Sequence, residues 1–427
     1  MSFIPIGGDA RDLSRSCAVL ITRVLTRNSV LLRSLLIAFL FIGCGSDEST
    51  GPNVIDVGVA GDGRLNAVLE SIRDESDLPA LGALLMQSGQ IVEKGAVGLR
   101  TSRSPEHVTN EDRWHIGSNT KAMTATLAAV LVEKGEISWT TTVAEVFPDL
   151  ASGMRSEYMT VSLDVLLYHT SGLPANIADA PSWASIRNST DPLPLQRRQL
   201  AAELLALQPA VPRGTHLYSN GGYLVAGSML EEVTGRAWEE LMLTELLAPL
   251  GMTSTGFGAP GSAGGTPDQP RGHVRQGGSW VPFEPGPNAD NPAAIGPAGT
   301  VHTTLDDYAR FMAAHLAGAR GIGGLVEAET FQKLQAPAPG TTYALGWGVG
   351  EGDWAGGRFL AHAGSNLLWY AVVLIAPERD LAVFVVTNAA GSNGEQGTGA
   401  MIEALIERAD AAFGQESRVS SVVYTPN

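Results

Sequence analysis

Ser118 and Lys121 lie three residues apart in Trp114-His-Ile-Gly-Ser-Asn-Thr-Lys121. On a helix that spacing puts both side chains on one face, with the ammonium nitrogen beside the hydroxyl. A lysine pressed against a buried serine at a helix N-terminus loses affinity for its proton by desolvation and can accept the serine proton. The helix N-terminus also aims backbone N–H groups at developing negative charge. With four lysines in the chain, at 94, 121, 134 and 333, such a pair arises by accident about one time in five. Other elements must therefore bear on it.

Three do. Tyr168-His-Thr-Ser-Gly-Leu-Pro174 reads as a bend between elements, with His169 serving structure. Leu217-Tyr218-Ser-Asn220-Gly-Gly-Tyr223 follows 100 residues after the serine, just ahead of a helix. Leu360-Ala-His362-Ala-Gly364-Ser365-Asn366 closes a predicted strand near the C-terminus. Tyr168 and Tyr223 read as core residues. Of Trp369 and Tyr370, at least one must face the core if that strand alternates.

The elements that position these groups follow from periodicity. Arg64–Arg73 predicts an amphipathic helix with Leu65, Val68, Leu69 and Ile72 on one face. Residues 79–86 and 90–97 predict a strand pair turning at Ser88-Gly89. A long apolar helix is expected from about Ser118 to Glu133, stopped by Gly135. Residues 140–300 read as mainly helical, broken by Pro/Gly loops, above all 256–291. Residues 343–350, 358–362, 369–375 and 381–387 read as strands, and Met401–Phe413 as a closing helix. This order predicts an α/β (α+β) fold in which one antiparallel sheet, completed by both chain ends, is flanked by helices, with a helical region inserted.

Taken together, Ser-x-x-Lys, His-Thr-Ser-Gly-Leu-Pro, Tyr-x-Asn and His-x-Gly resemble the serine β-lactamase and penicillin-binding-protein superfamily, in the branch of class C β-lactamases, DD-peptidases and related esterases. Further similarity lies in residues 296–304 and 343–349, and the likeness spans about 63–413. The resemblance implies the β-lactamase/transpeptidase-like fold and a cofactor-independent hydrolase working through an acyl-enzyme. It matches Ser118 to the nucleophile, Lys121 to the residue that helps deprotonate it, and Tyr218 to the phenol that moves protons. Asn220 matches a substrate-amide holder, and the N–H groups of Ser118 and Ser365 match the oxyanion hole, with Gly364 beside them. His362 stands where many relatives carry the lysine of a Lys-Thr-Gly motif. It is expected to bring a group that titrates near neutrality, about pKa 6.5, with a weaker hold on a substrate carboxylate. A DD-carboxypeptidase or related peptidase is the first expectation. A carboxylesterase or class C-like β-lactamase is the alternative, and a catalytically idle cell-wall-binding lipoprotein the non-enzyme reading.

Composition narrows the field. The chain has 427 residues and a net charge of -16; residues 1–43 hold five Arg and two Asp (+3), leaving -19 for the rest. An acidic body repels phosphate backbones and anionic membrane surfaces, which argues against nucleic-acid partners. The only cysteines are Cys17 and Cys44, so the body has no disulfide framework and no thiol nucleophile. Eight scattered histidines lack metal-ligand spacing, and no Gly-x-Ser-x-Gly, Walker A or dinucleotide fingerprint occurs.

Leu35–Gly43 is a short apolar run after Arg33, too short to span a bilayer. Gly43-Cys44 resembles a bacterial lipobox, with Phe41 where leucine is usual. This predicts a signal peptide over 1–43, lipidation at Cys44 and a flexible tether over 44–62. The hydrolase domain then covers 63–413 and a tail 414–427, in an exported protein touching a bacterial membrane only through its lipid. The long polar stretch before residue 30 suggests that translation begins near Val24 or Val30. A small-molecule or peptide substrate is the expected partner.

Overall fold

The computed structural model describes residues 55–414; the expected signal peptide, Cys44 and most of the tail lie outside them. Helix α1 (Leu65–Glu75) is followed by strands β1 (Ala80–Gln87) and β2 (Gln90–Gly98), then β3 (Trp114–His115) and helix α2 (Thr120–Glu133). Helices α3 (Leu193–Ala206) and α4 (Asn220–Thr234) dominate the middle. Strand β4 (Gly256–Phe257), a hairpin of β5 (His273–Gln276) and β6 (Ser279–Pro282), strand β7 (Val301–Thr303) and helix α5 (Leu305–Ala319) come next. The chain closes with β8 (Gly348–Gly352), β9 (Gly357–Ser365), β10 (Tyr370–Ala376), β11 (Leu381–Thr387) and α6 (Ser392–Phe413).

Both chain ends build one antiparallel six-stranded sheet in the order β2-β1-β11-β10-β9-β8. Strands β10 and β11 are apolar at nearly every position because both faces of the sheet are covered. Ala371, Val373, Ile375, Phe384 and Val386 point into the core shared with α2 and α5. Their neighbours Val372, Leu374, Val383 and Val385 join Leu65, Leu69, Met401 and Leu405 under α1 and α6. Each such side chain larger than alanine, removed from water, contributes about 1.5–3 kcal/mol. Trp369 and Tyr370 are both buried, on opposite faces, and Trp369 meets Trp114 edge-on at 6.2 Å.

The expected strand at 343–350 forms only from Gly348 onward, because Gly346 turns at φ +84° and leaves Tyr343 on a single bridge. The middle region is less purely helical than expected: the 256–291 loop carries the β5–β6 hairpin, and β3, β7 and β4 form a small sheet. Residues 55–62, expected as flexible tether, are bound to the body. Buried Arg408 needs acceptors for its guanidinium and finds them in Val57 O, Val59 O, Asp62 and Glu93, while Gly61 N–H donates to Glu93. Among the described residues no helix is long and apolar enough to cross a membrane.

Candidate active site

The serine sits in a single 3₁₀ turn, Gly117–Asn119, that feeds directly into α2. Backbone bonds from Ile116 N–H to Val301 O (3.0 Å) and from Asn119 N–H to Ile116 O (3.2 Å) fix the turn. One helical turn on, Lys121 is fully buried. Its Nζ donates to Asn220 Oδ1 at 2.8 Å and Ala298 O at 2.7 Å and lies 3.0 Å from Ser118 Oγ. Burial holds this amine well below the usual lysine range. A neutral amine at that distance can take a proton from a serine hydroxyl.

Tyr218 and Asn220 arrive from the other side through local anchors. Ser219 caps α4, its Oγ accepting from Gly222 N–H at 3.1 Å and donating to Pro174 O at 2.6 Å. Ser219 N–H donates to His169 Nδ1 at 3.1 Å, and Leu217 N–H to His169 O at 2.9 Å. The 169–174 bend is thus the cradle of the Tyr-Ser-Asn stretch. His169 has φ +61° and its ring lies 4.4 Å from that of Tyr218. Burial, with the nearby Lys121, keeps this histidine well below its ordinary pKa. The Tyr218 ring lies 4.8 Å from Lys121 Nζ, a cation–π contact whenever the amine is charged. Tyr223, read as core, is buried, with its hydroxyl on Leu167 O and its ring 5.7 Å from Lys121 Nζ.

The third wall is the end of β9. A Cβ on Gly364 would stand 2.1 Å from Ile116 O and 2.6 Å from Ser118 N, and one on Gly117 (φ +50°) would stand 2.3 Å from Ser365 N. Only glycine at both positions lets the strand lie flush against the nucleophile turn. Gly364 therefore lets the Ser365 backbone lie beside Ser118. Ser365 Oγ itself accepts from Leu367 N–H at 2.9 Å.

His362 differs from expectation. Its Nδ1 lies 2.8 Å from Ala363 O and its Nε2 3.1 Å from the Tyr343 hydroxyl, so both ring nitrogens are paired within the protein. Burial, reinforced by Lys121, lowers its pKa to about 3, so it stays neutral at physiological pH and does not titrate near 7. Sequence reasoning missed Tyr343, 19 residues from its partner; only the kinked Tyr-Ala-Leu-Gly stretch marked the segment. Among the described residues no three His, Cys, Asp or Glu side chains are grouped to hold a metal.

A helix-borne serine and buried lysine, walled by a tyrosine–asparagine stretch and an edge-near strand of a two-faced antiparallel sheet, define a β-lactamase/transpeptidase-like fold with a serine-hydrolase type of site. The family model for beta-lactamases matches residues 65–408, and the chain belongs to that family, whose homologues are serine hydrolases. It is 27% identical over 335 residues to Penicillin-binding protein 4 of Amycolatopsis lactamdurans, covering 75% of this chain and 83% of that protein. It is 24% identical over 319 residues to Unguisins hydrolase ungD' of Aspergillus campestris, covering 72% of this chain but only 58% of that relative's length. The octameric penicillin-binding protein homologue from Pyrococcus abyssi matches with a TM-score of 0.64 and 21% identity, over 86% of this chain and 82% of that one, a likeness of fold.

Proposed function

We propose that this protein is an exported serine hydrolase that forms an acyl-enzyme at Ser118, with DD-peptidase-like specificity for small peptides such as those of the cell wall. The observation that carries the chemistry is the buried Lys121 amine 3.0 Å from Ser118 Oγ. In this reading the neutral amine takes the serine proton as Oγ attacks the acyl carbon. The oxyanion forms between the Ser118 and Ser365 N–H groups. Tyr218 and Lys121 pass the proton to the leaving amine, and water then releases the acyl group by the reverse path. Asn220, its oxygen held by Lys121 at 2.8 Å, keeps its amide N–H groups for the substrate. Likeness to a penicillin-binding protein supports the peptide substrate, and the Leu35–Cys44 segment supports export and a lipid anchor.

A carboxylesterase reading is favoured by one observation: His362 is neutral and internally paired, so it offers no cation to a C-terminal carboxylate. Protein lacking residues 1–44 would be given a D-Ala-D-Ala peptide, a short-chain p-nitrophenyl ester and nitrocefin in parallel, with Ser118→Ala as control. Peptide turnover abolished in Ser118→Ala supports the proposal. Ester turnover alone selects the second reading, and equal silence of both proteins refutes an acyl-enzyme on these substrate classes.

A further inference from the structure

Two buried polar residues that the proposed chemistry does not use stand directly behind it. His115 ends β3, two residues before Gly117, and is wholly buried. Its Nδ1 accepts the Gly117 N–H at 3.1 Å. A ring nitrogen that accepts carries no proton, so the imidazole proton sits on Nε2. That nitrogen is 2.8 Å from Asp290 Oδ1, and among the described residues neither His115 Nε2 nor the buried Asp290 Oδ2 has a hydrogen-bond partner.

Asp290 Oδ1 accepts the Asn366 side-chain amide at 3.0 Å and the Asn291 backbone N–H at 2.7 Å. Gly117 immediately precedes Ser118, and Asn366 immediately follows Ser365. The path from Gly117 through His115 and Asp290 to Asn366 therefore joins, from behind, the two backbone segments that carry the oxyanion donors. The same loop reaches the lysine: Asn291 Nδ2 donates to Gly299 O at 3.0 Å, next to the Ala298 carbonyl that Lys121 holds.

We propose that His115 and Asp290 are a positioning pair that sets the spacing of the Ser118 and Ser365 N–H groups, so that they act on the acylation transition state and not on substrate binding. The proposal rests on reading Ser118 as the nucleophile. Oxyanion donors work only when held about 2.7–3.1 Å from the developing charge. Gly117, in a conformation open chiefly to glycine, has little stiffness of its own to hold one of them. An acceptor behind its N–H supplies that stiffness, and the carboxylate fixes the tautomer that can accept.

The test follows labelling by a fluorophosphonate probe over a range of concentrations, separating the limiting rate of acylation from the half-saturating concentration. His115→Phe, which removes both polar ends at similar volume, is expected to cut the limiting rate about thirtyfold, less than outright loss of one oxyanion donor. Its half-saturating concentration should stay within twofold of wild type. His115→Asn keeps an acceptor for Gly117 N–H and is expected to recover to within about fivefold of wild type. Asp290→Ala should fall in the same direction as His115→Phe. Imidazole ¹⁵N NMR of the wild type should show an unprotonated Nδ1 on His115, a readout independent of activity and of how well the variants fold. A limiting rate for His115→Phe within twofold of wild type, a loss confined to the half-saturating concentration, or a protonated Nδ1 would each overturn the pair. If wild type forms no adduct at all, the nucleophile reading falls and takes the proposal with it, an outcome distinct from wild type and His115→Phe labelling equally fast.

Discussion

Replacing Gly364 by alanine adds one methyl group at the tightest seam of the active site. The new Cβ would stand 2.1 Å from Ile116 O and 2.6 Å from Ser118 N, both backbone atoms, where real Cβ contacts essentially never fall under 3.0 Å. No side chain can swing away, so the end of β9 and the nucleophile turn must part by at least 3.0 - 2.1 = 0.9 Å. A misplacement of about 1 Å in a catalytic constellation costs about a hundredfold in rate, equivalent to about 2.7 kcal/mol. Overpacking of the buried seam adds a stability loss of about 1–3 kcal/mol. Gly324→Ala is the control, since nothing lies within 4 Å of its Cβ position and its φ is not in the left-handed region. Fluorophosphonate labelling rates and thermal melts of both variants read the two effects. Gly364→Ala labelling within threefold of wild type, at unchanged melting temperature, would refute the claim that this contact sets the oxyanion geometry.

Further outcomes follow from the same geometry. Lys121→Met and Lys121→Arg should both lose acylation by about a thousandfold or more; arginine does not rescue, because a guanidinium does not give up its proton, and burst kinetics with a p-nitrophenyl ester measure both. Burial lowers the Lys121 pKa; with its neutral form as the proposed base, acylation should rise with pH through that lowered value and hold a plateau above it, a limb that stopped-flow labelling across pH 4–9 would trace. His302 (about 4), His273 (about 4), His315 (about 3) and His362 (about 3) are all held below their unfolded value near 6.5, chiefly by burial. Below pH 6.5 the unfolded chain binds protons that the folded one refuses, so stability should be lost as pH falls from about 6.5 toward 3, by about 1.4 kcal/mol per pH unit for each such histidine; a flat urea-unfolding free energy between pH 7 and 5 would contradict this. Tyr343→Phe removes the hydroxyl that meets buried His362 Nε2 at 3.1 Å and should cost about 1–3 kcal/mol in urea unfolding.

What could be read from the sequence was what short-range geometry dictates. The Ser118–Lys121 pair needs only the helical repeat, and the apolar runs of β10 and β11 needed only a sheet covered on both faces. The tail of β9 through Ser365 and the first turns of α6 (Ser392–Ala400) escaped, since glycine and polar residues there have weak propensity and are ordered by packing. Within the site, the motifs located Tyr218, Asn220 and His362, but the charge state of His362 depends on burial that no local pattern encodes. The contacts between His115 and Asp290, 175 residues apart, and between Tyr343 and His362 are products of chain crossing. No spacing rule reaches them.

The Arg408 knot has a mechanical meaning. Its guanidinium binds Val57 O, Val59 O and Asp62 at the point where the described chain begins, and joins them to Glu93 on β2 and to α6, from which Arg408 itself projects. A pull arriving through the preceding residues is therefore taken up as shear along α6 and the edge strand. That load path runs on the side of the sheet packed by α1 and α6, whereas Ser118 and Lys121 stand at the head of α2 on the other. Tension arriving at Ile55 would reach the cleft beside Ser118 only after breaking a charged clamp with several points of attachment, so a pull on that end leaves the Ser118–Lys121 pair unstrained.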